Sequence, residues 1–119
     1  MALGIILFGH GSRDPAWRAP MDAVAARVRA ADPACLVTCA FLELDSPDLP
    51  TAATGLVAAG ATKLRVLPLF LGTGRHARED LPKLLDVVRS AHPQVVVEVV
   101  PPAGEHPAVL DLLAKIAMA

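Results

Sequence analysis

Apolar positions along this chain fall into four β-rich runs, several of them almost continuous, that alternate with four segments of helical spacing. The runs are Leu3–Gly9, Cys35–Leu42, Lys63–Phe70 and Val95–Val100. Alternating apolar and polar residues would indicate strands with one wet face, whereas continuous runs indicate parallel strands covered on both. Between the runs, Met21, Val24, Ala25 and Val28 recur at the spacing of one helix face. So do Leu81, Leu84, Leu85 and Val88, and near the end Leu110, Leu113 and Ile116 with Leu112 beside them. The second helix, roughly Pro47–Ala59, has a weaker pattern because Ala, Thr and Gly fill it.

Capping residues support these boundaries. Asp14-Pro15, Ser46-Pro47 and His106-Pro107 each place a candidate cap before a proline at the first helical position. Gly60 and Pro93 stand where the second and third helices should stop. Pro20 and Pro82 fall inside helical patterns, where proline removes a hydrogen bond and clashes with the preceding turn. A short pre-turn is therefore expected before each, with the regular helix beginning near the proline.

A β-α repeat of this kind predicts an α/β fold, a four-stranded parallel sheet with helices on both faces and right-handed crossovers. The natural doubly wound order is 2-1-3-4. It reverses direction between the first and third strands, and ligands in such sheets bind beyond the carboxyl ends at that switch point. With 119 residues the chain fits one domain, 1–119, large enough to fold without a disulfide or metal staple.

Composition narrows the partners. The chain is 54% apolar with one Trp, three Phe and no Tyr, so the core must be aliphatic. Net charge is −1 and no Lys/Arg run stands out, so neither the basic stripe nor the stacking aromatics of nucleic-acid binding are present. The apolar runs fall far short of the ~20 residues that span a bilayer. No basic segment with a cleavage site opens the chain, so a cytoplasmic location is expected, with neither nucleic acid nor membrane as a partner. Cys35 and Cys39, four residues apart in one strand, lie ~13 Å apart and beyond the ~7 Å reach of a disulfide. They are expected to be buried thiols.

The chemistry gathers at one edge. After the first strand comes Gly9-His10-Gly11-Ser12-Arg13-Asp14, after the second Glu43, after the third Gly72-Thr73-Gly74-Arg75-His76-Ala77-Arg78, and after the fourth Gly104-Glu105-His106. The opposite edge holds plain turns, His92 among them. His10 and His76 follow the strands that flank the switch point. Imidazole suits borderline divalent metals, and a carboxylate such as Glu43 suits a third position, leaving coordination sites open. The alternative is that each histidine caps a helix or fills a turn. Gly72-Thr73-Gly74 before a helix could cradle phosphate or carboxylate, although it lacks the spacing of a dinucleotide fingerprint or a P-loop. Arg13, Arg75 and Arg78 could grip acidic groups on a ligand, or form a solvated face. His106 and Glu105, one strand from the switch point, suit the rim.

The segments Leu7-Phe8-Gly9-His10-Gly11-Ser12-Arg13, Phe41-Leu42-Glu43, Pro68-Leu69-Phe70-Leu71 through Gly74-Arg75-His76, Asp80-Leu81-Pro82 and Gly104-Glu105-His106-Pro107 resemble the short sirohydrochlorin chelatases, the CbiX/SirB group. The resemblance runs over nearly the whole chain. It implies a class II chelatase fold and a lyase-class enzyme inserting Co²⁺, or Fe²⁺, into sirohydrochlorin on the way to cobalamin or siroheme. By the resemblance His10 and His76 bind the metal, with Glu43 as acidic partner. Ser12, Arg13, Gly72, Thr73, Gly74, Arg75 and Arg78 would then surround the octacarboxylate substrate. Short members match half of longer chelatases, which implies a homodimer, and no organic cofactor is implied. Cobalt is favoured, with iron or nickel as alternatives. Activity should fall below roughly pH 6, because protonated histidine, with a reference value of ~6.5, cannot bind metal. Three rivals remain: a non-catalytic divalent-metal carrier of the same fold, a phosphate-ester or nucleotide binder using Gly72–Gly74, and a structural or partner-binding domain.

Overall fold

The computed structural model describes residues 2–119. Four strands, β1 (Ala2–Gly9), β2 (Leu36–Phe41), β3 (Ala61–Pro68) and β4 (Val96–Val99), form one parallel sheet in the order β2-β1-β3-β4. The expected order is therefore the observed one. The helices are α1 (Ala19–Ala31), α2 (Leu49–Ala58), α3 (Arg75–Ala91) and α4 (Pro107–Met118), with short 3₁₀ turns at Pro15–Arg18 and Ala103–Glu105.

The sheet is buried on both faces at β1 and β2, whereas β3 alternates buried and more open positions and β4 leaves Val96 and Val99 61% and 41% exposed. On one face Ile6, Phe8, Leu64 and Val66 pack with Leu49, Ala53 and Leu56 of α2 and Ala77, Leu85 and Val88 of α3. On the other, Leu7, Val37, Cys39 and Phe41 pack with Met21 and Ala25 of α1. Both cysteines are free and buried, as expected, and burial pushes the Cys39 thiol up.

Two helix starts, those of α2 and α3, differ from the expectation. At α2, Ser46-Pro47 is a cis peptide in the loop and not the cap. Asp48 caps instead, its side chain accepting from the Thr51 N–H at 2.9 Å, and Pro50 takes the place in the first turn. Asp-x-x-Thr competes with Ser-Pro here, and Asp48 is the residue that directly precedes the first turn, Leu49 onward. At α1 the pre-turn before Pro20 exists, capped by Asp14. At α3 it does not: the helix runs from Arg75 straight through Pro82. Pro82 is exposed, so the carbonyl it leaves unbonded can meet water. Burial of Ala77 on one side and of Leu85 and Val88 on the other offsets a local cost of ~3 kcal/mol.

α4 forms as its pattern predicts, yet its apolar face is not covered. Leu110, Leu113 and Ile116 are 48%, 42% and 63% exposed. The helix touches mainly the 103–105 turn that precedes it, leaving an apolar side available.

Candidate functional site

Ladder hydrogen bonds continue past the ends of β1 and β2, and this brings the site together. Leu42 N–H donates to Gly9 O at 2.9 Å, and Glu43 N–H to His10 O at 3.0 Å. The two loops touch at Gly11, whose φ is +103° and where a Cβ would sit 1.6 Å from Glu43 O. Only glycine permits that approach. With the backbones held so close, His10 Nε2 and Glu43 Oε1 meet at 2.8 Å.

His76 arrives from the other side of the switch point. Gly74 caps α3 without a side-chain bond, so the helix starts with free N–H groups and His76 stands in its first turn. Its Nε2 lies 2.7 Å from Asp80 Oδ2, one helical turn on. The His10 and His76 rings are 6.5 Å apart, edge to face. The site therefore holds two histidine–carboxylate pairs facing one another, each about half exposed to solvent.

Such pairs can take metal in place of a shared proton. Two donors 2.8 Å apart, each ~2.1 Å from an ion, subtend about 85° there, an ordinary angle between ligands. Among the described residues no group of three or more His, Cys, Asp or Glu side chains forms a ready-made cage. The expected trio is thus a contact pair, His10 and Glu43, with His76 in a second pair beside it. Asp80 was given no role from the sequence, although its i,i+4 spacing from His76 on a helix was the available signal.

The other candidates divide. Ser12 Oγ accepts from Asp14 N–H at 3.1 Å, which shapes the loop. Arg75 pairs with Glu79 at 3.1 Å while staying 85% exposed. Arg13 and Arg78 make no ion pair among the described residues. Thr73 and Arg78 line a groove of about 730 Å³ between α3 and the end of β4, which none of His10, Glu43 and His76 lines. Gly72 and Gly74 are open, with nothing near an added Cβ. His106 Nε2 bonds Pro101 O at 2.9 Å and clasps the last loop, and His92 bonds Thr54 Oγ1 at 3.1 Å after the end of α3.

A doubly wound parallel sheet with paired histidines and carboxylates at its switch point defines a small α/β protein equipped to hold a divalent metal at an open edge. The CbiX family model matches residues 4–117, and the chain belongs to that family. It is 32% identical to a sirohydrochlorin cobaltochelatase of Saccharolobus solfataricus over 119 residues, 95% of this chain and 91% of the other. Its fold matches that of a cobalamin biosynthesis CbiX protein from Marinobacter aquaeolei with a TM-score of 0.81 and 28% identity, covering 98% of this chain and 94% of that one. It also matches the sirohydrochlorin chelatase SirB from Bacillus subtilis, solved in complex with cobalt, with a TM-score of 0.83 and 29% identity. That match covers 99% of this chain and 50% of SirB.

Proposed function

We propose that this chain is a sirohydrochlorin chelatase, a lyase-class enzyme that inserts a divalent metal into the tetrapyrrole. The observation that carries the reading is the 6.5 Å approach of His10 and His76, each paired with a carboxylate, at the edge of a CbiX-family fold. Co²⁺ is the favoured metal, supported by the cobaltochelatase relative and by cobalt-bound SirB. The metal and sirohydrochlorin are both substrates, and the scheme uses no organic cofactor.

The metal ion displaces a proton from the His10–Glu43 pair and sits against Nε2 and Oε1, with His76 and Asp80 facing it. Sirohydrochlorin docks with carboxylates toward Arg13, Arg75, Arg78 and the free N–H groups at the start of α3, where the helix dipole favours anions. Ser12 and the segment Gly72–Gly74 border that approach. As the metal passes to the four ring nitrogens, two pyrrole protons leave, so charge and atoms balance. The two histidine–carboxylate pairs are the bases at hand, and each takes one proton as the metal departs.

The same reading treats residues 1–119 as one domain, supported by the single sheet. It includes a homodimer, supported by the uncovered face of α4 and by the match to half of SirB. Among the described residues no helix is long and apolar enough to cross a membrane. Two free thiols suit a reducing compartment, and the reading places the protein in the cytoplasm.

Anaerobic mixing of sirohydrochlorin with Co²⁺ tests the proposal. The protein must form the metallated spectrum faster than metal alone does. Tight Co²⁺ binding with no acceleration would leave a metal carrier in its place.

A further inference from the structure

Leu44 follows Glu43 directly and is held with φ +63°, the one non-glycine residue described with a positive φ. L-residues adopt this left-handed backbone at a cost, and Gly, Asn or Asp is its usual occupant. Packing does not repay that cost, because Leu44 belongs to neither apolar cluster and is 51% exposed.

The backbone on both sides is pinned. Glu43 N–H is bonded to His10 O at 3.0 Å, and Asp45 Oδ1 accepts from Ser46 N–H at 2.8 Å and pairs with Arg18 Nη1 at 3.5 Å. The turn would therefore form as well, or better, with glycine. What the leucine adds is an apolar side chain in water, one residue from a carboxylate that contacts His10. Strain kept in this way beside a reactive group marks a side chain with a task there.

We infer that Leu44 is a substrate-contact residue that packs its side chain on the apolar framework of the tetrapyrrole while arginines take the carboxylate rim. The inference rests on the chelatase reading. A flat ring offers hydrocarbon surface inside a charged border, and an isolated apolar side chain next to the metal pair matches the inside and not the border. Burying it only when the ring arrives sets the ring over the metal and strengthens binding without touching the metal ligands.

Leu44→Gly and Leu44→Asn both suit the left-handed backbone, so neither should unfold the protein. The expected result is an unchanged or higher melting temperature, unchanged Co²⁺ binding, and a KM for sirohydrochlorin raised roughly tenfold or more with kcat little altered. Leu44→Met should restore KM to near the wild-type value. A KM within about twofold of wild type in Leu44→Gly and Leu44→Asn overturns the inference. So does a change of oligomeric state in light scattering, which would assign Leu44 to contact between chains. A wild type that fails to accelerate insertion sinks the chelatase reading itself, an outcome distinct from both.

Discussion

His10 Nε2 and Glu43 Oε1 are 2.8 Å apart although 33 positions separate them in sequence. Neither residue is placed by its own loop alone. The parallel register pairs Gly9 with Phe41, and two further backbone bonds carry that pairing outward until the side chains meet. The contact is therefore a consequence of sheet geometry, and it makes the first strand crossing and the proposed metal site one structural feature.

Gly11 is the weak point of that feature. Gly11→Ala puts a Cβ where Glu43 O already lies and demands φ +103° of a residue with a side chain. A loss of at least ~1–3 kcal/mol of stability is expected. Thermal melts should show the drop, and Co²⁺ binding should weaken with it as the two loops separate. A variant as stable as wild type would contradict the close approach.

Asp80 supports the second histidine. Asp80→Asn keeps the size of the side chain but removes the negative charge 2.7 Å from His76 Nε2. Loss of such a partner should weaken metal binding ~10–100-fold. Titration calorimetry with Co²⁺ on both proteins measures it, and equal affinities would reduce Asp80 to a helix-surface ion pair.

Asp48 ties stability to pH. Hydrogen bonds from Thr51 hold its carboxyl below the usual carboxylate range. A folded value that is depressed stabilises above the unfolded value of ~3.9 and loses that contribution as pH falls through the folded value. Asp48→Ala should thus cost ~1 kcal/mol near pH 7, and the difference from wild type should shrink steadily below about pH 4. Denaturant melts at pH 7 and pH 3 test the trend. A constant difference would mean that the charge plays no part.

The uncovered face of α4 should hold two chains together. Ile116 is 63% exposed, and Ile116→Glu places a charge on that apolar side. Wild type should run in light scattering at twice the 12.4 kDa chain mass, and the variant at or near the single mass. A monomeric wild type would remove the dimer from the account.

Much of this was written plainly in the chain. The unbroken apolar run of β1 reads as a strand covered on both sides, and once the order β2-β1-β3-β4 followed, His10 and His76 had to flank one cleft. The misread positions share a cause. Local propensity makes Ser46-Pro47 a cap and Pro82 a helix start, and tertiary context overrides both. Asp48 offered a better cap, and the buried side of α3 outweighed its proline. α4 shows the converse, since amphipathic spacing announces an apolar face without saying what covers it. Asp80 escaped because acidic residues in a first or second helical turn are common, and only the distance to His76 gives this one a meaning.

The pairing of the two histidines across the switch point is the central claim, and metallation kinetics test it most directly. Sirohydrochlorin and Co²⁺ would be mixed without oxygen, and absorbance followed with wild type, His10→Ala and His76→Ala side by side. The account predicts acceleration by wild type and a fall to the spontaneous rate in both variants. Full activity in either variant would contradict it.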